Sequence, residues 1–414
     1  MNHLVLEVGT ALVLVAIGSI IANRLNFSII PFLIIIGMLV GPHAPTIGII
    51  DLTFIESNEI IQFLGRIGVL FLLFYLGLEF SVGKLIKSGK NIVVGGSIYV
   101  IMNFVLGLVY GKTVGMPWME TLLIAGLLSV SSSAIVAKVL VDLRRTANPE
   151  TELILGMILF DDIFLALFLT TMSGVLLAGS TSFFGISLSV LTSVAYMLLF
   201  FVIARKGAPL LNKWLNIKSD EIFIIVIFAI LFFVAGFSET LHVAEAIGAL
   251  LLGLVFSETE HRDRIEHLVV PFRDFFGAIF FFSFGLTIEP STLIHAFWLS
   301  LGAVIVTLLA NMVAGMIAGR KAGLSYKAST NIGLTITARG EFSIVVANLG
   351  ITAGLNPILT PFTALYVLML AILGPLFAKE SKTIYKLLNK VFKWDKKLAK
   401  EKEKQKERVE VAEK

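Results

Sequence analysis

The chain has 414 residues, 57% of them hydrophobic and 15% charged, and its mean hydropathy is +0.92. This composition excludes an ordinary soluble domain and implies a polytopic membrane protein whose first partner is the lipid bilayer. No nucleic-acid partner is expected, and the lack of cysteine excludes disulfides and thiolate metal sites.

Apolar stretches of about 20 residues, divided by polar or Gly/Pro punctuation, predict an all-α membrane protein of thirteen spans. They run over residues 4–22, 29–41, 59–78, 91–110, 119–140, 152–175, 183–204, 220–237, 240–256, 268–287, 293–318, 328–350 and 358–378. No Lys or Arg precedes the first, so it reads as a retained span and not a cleaved signal. From Lys379 the chain turns polar and ends in LAKEKEKQKERVEVAEK. Its interleaved charges suit a solvated cytoplasmic tail over 379–414, or a docking segment for a partner or anionic lipid.

Charge gives an independent check on the spans. Alternate connections hold the cations: Arg24; Lys84, Lys87 and Lys90; Lys138, Arg144 and Arg145; Arg205, Lys206, Lys213 and Lys218; Arg262, Arg264 and Arg273; Arg320, Lys321 and Lys327. The opposite set holds only Lys112. The positive-inside rule then places the N-terminus outside and the C-terminus in the cytoplasm of a multi-pass protein of the cell membrane.

Two internal matches indicate repetition. GVLFLLFYLGLE (68–79) resembles GAIFFFSFGLTIE (277–289), and IGMLVG (36–41) resembles IGALLLG (247–253). The first repeat covers about 4–175, a linker helix about 183–204 and the second repeat about 220–378, within one exchanger domain over 1–378. An odd number of spans between matching helices inverts the second six-span unit relative to the first, as in secondary transporters. An offset of about 208 carries VSSSAIV (130–136) onto TARGEFS (337–343), the two most polar stretches inside any predicted span. Both are expected to be broken helices whose exposed backbone ends need polar partners.

The next span holds ILFDDIFLAL, with Asp161 and Asp162 adjacent in an apolar run. A charge at the bilayer centre costs about 2.5–3.5 kcal/mol on insertion scales, and adjacent like charges add to it, so the pair reads as functional. Ser131, Ser132 and Ser133 can serve packing, but their position makes them candidate ion ligands. Arg339 and Glu341 are two residues apart and would not face each other on a regular helix, which implies an unwound segment or separate partners. Arg339 is expected to offset the aspartates' charge. Glu79 is a possible site residue, although near a cytoplasmic span end snorkelling would suffice. Arg66 and Glu245 lie nearer the outside, where Glu245 could line an access funnel, and His242 and His295 read as structural interfacial residues. No P-loop, GxGxxG, HExxH or GxSxG pattern occurs, so a transporter is expected and not an enzyme.

SSSAIVAKVL, the FDD of the sixth span, FSETEHRDRIEHLVVPFRDFFGAIFFFSFGL and TARGEFSIVVANLG together resemble the second monovalent cation:proton antiporter family, in its Kef-like branch. The resemblance runs over residues 4–378 and is closest to potassium/proton antiporter membrane subunits without a fused nucleotide-binding domain. It implies an NhaA-like fold, with a dimerisation bundle of spans one to three and eight to ten and a core bundle carrying the crossed, broken helices five and twelve. It also implies a homodimer and a separate soluble cytoplasmic regulatory subunit. The family's ion-binding carboxylate falls on Asp162, where a monovalent cation would bind, with Asp161 before it. Where many relatives have a lysine near the crossing, this chain has Asn311, which leaves Arg339 as counter-charge and makes electrogenic exchange less expected.

The expected function is therefore exchange of a monovalent cation for a proton by competition at one buried carboxylate, with alternating access and no bound cofactor. Serine hydroxyls and carbonyls freed by the helix breaks would complete the cation's oxygen shell. Potassium is favoured by resemblance, with ammonium and sodium as further substrates. The alternatives are a sodium-preferring antiporter and a gated cation channel, but no filter such as TVGYG is present.

Overall fold

The computed structural model describes residues 4–25, 28–44, 46–47, 50–51, 53–55, 59–79, 89–177, 191, 195, 202, 210–240 and 245–394. The helix expected over 183–204, His242 and the tail from residue 395 lie outside the described residues, apart from isolated positions of the linker. In the first half the helices are α1 (Leu4–Arg24), α2 (Ile29–Val40), α3 (Glu59–Glu79), α4 (Gly89–Thr113), α5 (Trp118–Ser129), α6 (Ser133–Asp142) and α7 (Thr151–Leu177). The second half holds α8 (Asp220–Thr240), α9 (Glu245–Ser257), α10 (Arg262–Leu286), α11 (Leu293–Lys321), α12 (Tyr326–Thr335), α13 (Glu341–Thr352), α14 (Leu359–Lys379) and α15 (Ser381–Phe392). A short antiparallel bridge, β1 (Thr46–Ile47) with β2 (Ile50–Asp51), follows α2.

Among the described residues, eight helices are long and apolar enough to cross a membrane. Four shorter apolar ones are α2, α5, α9 and α13. The long helices have exposed apolar faces, as at Phe233 and Phe237 on α8 or Trp298, Ile305 and Leu309 on α11, which suits contact with lipid. Both predicted breaks are present. α5 stops at Ser129 and α6 starts at Ser133, with Val130 and Ser132 extended between them. α12 stops at Thr335 and α13 starts at Glu341. The serines favour such a stop because their hydroxyls offer the backbone alternative bonds: Ser132 Oγ caps α6 by accepting from Ile135 N.

The helices sort into two bundles. On one side α3, α8, α9 and α10 share an aromatic core around Phe71, Phe74, Phe223 and Phe256, with α1 and α2 packed beside them. On the other, α4, α6, α7, α11, α12 and α14 share Tyr99, Val136, Ile154, Ala314, Ile332 and Ala371. Glycine permits the closest approaches in the first bundle. A Cβ on Gly77 would lie 2.1 Å from Leu250 O, and one on Gly253 the same 2.1 Å from Phe74 O. Such gaps bring α3 and α9 together backbone to backbone, which supplies dispersion contact where the solvent offers no hydrophobic drive.

The repeat is visible in the contacts of the second bundle. Gly107 lies against Ala125 and Gly111 against Thr121 where α4 meets α5; Gly315 lies against Gly333 and Gly319 against Ser329 where α11 meets α12. Every residue of the second set follows its counterpart by the same 208 positions that separate the hydrogen-bonded pair Asn103 and Asn311. The half-helices start at the same offset: Trp118 and Tyr326 open the first of each pair, Ser133 and Glu341 the second.

Gly77→Ala should destabilise the protein by about 1–3 kcal/mol, the usual range for overpacking, because the added methyl has only main chain to displace. Thermal unfolding in detergent micelles would read this as a lower midpoint; an unchanged midpoint would refute the close-packed α3·α9 contact.

Candidate ion-binding site

The site follows from what the two breaks leave unsatisfied. Each break exposes main-chain carbonyls at one helix end and N–H groups at the next, with no water in the hydrocarbon to receive them. One direct bond joins the two segments: Ser132 N donates to Ala338 O at 3.0 Å. They pass so closely that a Cβ on Gly340 would lie 2.6 Å from Ser132 Oγ, so glycine is required there by proximity.

Arg339, fully buried, fills the carbonyl side. Its Nη2 donates to Leu128 O at 2.7 Å, at the end of α5. Its Nη1 reaches Ile336 O at 3.0 Å and the carbonyls of Thr337 and Ala338 at 3.3 Å. Its Nε donates to the Tyr366 hydroxyl at 3.2 Å, which is also bonded to Thr307 at 2.8 Å. A single cation thus faces the C-terminal ends of two half-helices, where positive charge is favoured. Among the described residues Arg339 makes no ion pair with either aspartate. The carbonyls expected to be free for an ion are for the most part already held by this guanidinium, because an unpartnered buried cation would be costlier still.

The acids occupy the opposite, N-terminal ends. Asp161 is wholly buried on α7, and its Oδ2 accepts from Ser131 Oγ at 2.6 Å and Ser131 N at 3.1 Å. Glu341 stands in the first turn of α13 and accepts from Ser132 Oγ at 3.1 Å. Arg339 and Glu341 therefore go to separate partners, one inside the break and one on the helix after it. Asp162 is 6% exposed. Neither its Oδ1 nor that of Asp161 has a hydrogen-bond partner. A buried carboxylate left this way is satisfied by a proton or by a cation.

A cavity of about 730 Å³ enters between the bundles, lined by Tyr75, Glu79 and Arg273 on one wall and Ser133, Lys138 and Glu341 on the other. Leu155 and Ile158 of α7 also line it. Asp162 follows Ile158 by four residues, so it lies one turn deeper on the same helix face. Glu79 shares this cavity with Glu341. Glu245 does not join the site: Arg66 Nε and Nη2 hold its two oxygens at 2.9 and 3.0 Å, tying α9 to α3. His295 is exposed at the start of α11. The described residues hold no group of three or more His, Cys, Asp or Glu able to bind a metal ion.

Asn311 sits at the crossing and binds a second polar residue that sequence reasoning missed. Asn103 Nδ2 donates to Asn311 Oδ1 at 2.9 Å, and both side chains are buried. The internal offset could have found Asn103, since it is the repeat mate of Asn311. Tyr366 and Thr307 carried no such signal, because a hydroxyl inside an apolar span gives no indication of what it touches.

The sodium/hydrogen exchanger transmembrane family model matches residues 10–379. The chain is 71% identical to the K(+)/H(+) antiporter subunit KhtU of Bacillus subtilis, over 95% of this chain and 97% of that protein. It is 28% identical to the ammonium/H(+) antiporter subunit AmhT of Alkalihalophilus pseudofirmus, over 88% and 90%, and 28% identical to the Na(+)/H(+)-K(+) antiporter GerN of Bacillus cereus, over 78% and 81%. Among solved structures, the sodium proton antiporter MjNhaP1 of Methanocaldococcus jannaschii superimposes with a TM-score of 0.69 at 17% identity, over 92% of this chain and 99% of that one. This likeness supports the antiporter fold.

Arg339→Leu should cost about 3 kcal/mol or more, because it strands several buried carbonyls at ~1–3 kcal/mol each. The expected readout is a large drop in the thermal midpoint in micelles. A midpoint equal to wild type would show that the guanidinium does not hold the crossing.

Proposed function

Since the chain belongs to the sodium/hydrogen exchanger family, we propose that it exchanges potassium for protons across the cell membrane by competition at Asp162. The observation that carries this reading is the buried Asp161–Asp162 pair, each with an oxygen lacking a partner, one helix turn beyond a cavity that opens between two bundles. A proton and a monovalent cation are then alternative ways to satisfy the same oxygens. Asp161 is the more fixed member, held by Ser131, and Asp162 is the one free to trade occupants. Ser133 and Glu341 at the base of the cavity supply further oxygens along the route, with Ser132 orienting Glu341 and Glu79 drawing cations into the mouth.

Alternating access follows if the bundle carrying α5, α6, α12 and α13 moves against the bundle of α1–α3 and α8–α10, closing the cavity on one side and opening the other. Movement with a bare, unpartnered carboxylate is disfavoured by the cost of burying that charge, so each passage carries a cation or a proton and exchange results. Arg339 stays with its carbonyls throughout. With Asn311 and not a lysine at the crossing, no second buried cation competes for Asp162, which favours electroneutral exchange.

Potassium is preferred as substrate because the relative named for it stands at 71% identity, whereas those named for ammonium and sodium stand at 28%. The word subunit in the first name supports a separate soluble regulatory partner on the cytoplasmic side. The first bundle is the proposed homodimer surface, the N-terminus is outside and the tail over 379–414 is cytoplasmic.

Acid-loaded everted vesicles with a pH-sensitive dye test the reading. Potassium should dequench the dye more effectively than sodium or ammonium, and Asp162→Asn should abolish the response. Flux that persists in that variant would move the site elsewhere, and a passive current without proton coupling would favour a channel.

A further inference from the structure

A second cavity, of about 580 Å³, lies at the end of the molecule where α14 terminates and α12 begins, and it shares no lining residue with the ion route. Arg144, Arg145, Lys327, Lys379 and Lys382 line it beside a single acid, Glu150. That acid is already engaged: Glu150 Oε1 accepts from Asn331 Nδ2 at 2.8 Å and from Asn148 Nδ2 at 3.1 Å, and the residue is 4% exposed. Among the described residues none of the five cations forms an ion pair.

Positive-inside charge would explain cations scattered along loops, but it does not require them to converge. Here they come from the α6–α7 connection, the first turn of α12 and the α14–α15 junction; Arg144 and the three lysines are exposed, and the half-buried Arg145 is anchored. Arg145 Nη1 donates to Ala378 O at 2.8 Å, and Thr151 Oγ1 donates to Arg145 O at 2.6 Å. Burial holds the Arg145 guanidinium below its ordinary pKa, with Glu150 working against that. Ser325 caps α12, its Oγ accepting from Ala328 N at 3.2 Å, so the positive end of that helix also faces the cavity. Trp394 stacks on Tyr326 at 5.6 Å and on Tyr385 at 6.1 Å, which folds α15 back onto α12 and keeps Lys382 near Lys327.

Arg144 adds an observation of a different kind. It ends α6 with φ 53°, and Arg145 N closes the turn on Leu140 O at 2.8 Å, the position and bonding at which helices ordinarily use glycine. An arginine tolerated there at a conformational cost points to a use for its side chain.

We infer that this cavity binds a phosphate-bearing anion, clamped by Arg144, Arg145, Lys327, Lys379 and Lys382. Guanidinium pairs phosphate oxygens through two parallel bonds, and the lysines add flexible point charges, the combination suited to one or two phosphate groups. A lipid headgroup and a soluble phosphoanion share this chemistry. Every lining residue belongs to α12 or its cap Ser325, to α14, to the connection between α6 and α7 or to the segment that runs from α14 into α15. The bound anion therefore ties the two repeats of one bundle together without touching the other bundle.

The test uses the purified full-length chain in neutral detergent at low salt, since screening weakens exposed charge pairs. Native mass spectrometry scores retention of phosphatidylglycerol against phosphatidylcholine, and titration calorimetry scores binding of inorganic pyrophosphate. Arg144→Gly and the pair Lys327→Gln with Lys382→Gln are compared with a control pair, Lys213→Gln with Lys218→Gln. Either site variant should weaken the bound probe by at least about tenfold while the control stays at wild type. Arg144→Gly should leave the thermal midpoint equal or higher, because glycine suits that backbone, and this separates lost binding from lost folding. Retention of phosphatidylglycerol alone identifies the lipid headgroup as the source; heat with pyrophosphate identifies a soluble anion. Equal binding by wild type and both variants, or no binding of either probe by the wild type, overturns the inference. Because the readout is binding and not flux, the result is independent of the role assigned to Asp162.

Discussion

The molecule turns on a constraint that water-soluble proteins rarely face: a helix broken in the middle of the hydrocarbon has nowhere to put its loose backbone groups. Two such breaks occur here, and one guanidinium answers most of the carbonyl side of both. Arg339 spans from Leu128 in the first repeat to Ile336 in its own. It makes the crossing a single bonded unit instead of two separate defects. The N-terminal ends then become the place for negative charge, and there Asp161 and Glu341 stand, each bonded to a serine of the other broken segment or its flank.

That division of labour leaves Asp162 distinct. The neighbouring acid is tied to Ser131 and the nearest cation is committed to carbonyls, so Asp162 is neither neutralised nor fully bonded by protein. An arginine that paired with it directly would have closed the site to both proton and cation. The same economy explains the asparagines at the crossing: Asn103 donates to Asn311, which donates to the adjacent break, without adding charge.

The repeat geometry serves this site. In one bundle glycine against main chain draws α3 and α9 together, and in the other the α4·α5 approach recurs as α11·α12 at the 208-residue offset of the asparagine pair. These contacts hold each bundle together, and the cavity of about 730 Å³ lies between the two beside a shared apolar core that includes Ile34, Leu73, Leu127 and Phe342.

The sequence by itself located the apolar spans of the described residues, the 208-residue internal repetition and both breaks. Hydropathy, charge alternation and a constant offset are one-dimensional signals, and each leaves its mark in residue order. It also singled out Asp161, Asp162, the serines, Arg339 and Glu341, because a polar group inside an apolar run is conspicuous without any knowledge of its neighbours. What only the tertiary structure decided is who satisfies whom. Arg339 serves carbonyls more than aspartates, Glu245 belongs to Arg66, Glu79 faces the cavity, and Tyr366 and Asn103 belong to the crossing. Those pairings join residues up to some 211 positions apart, as with Arg339 and Leu128. They depend on distances of a few ångströms that no periodicity encodes.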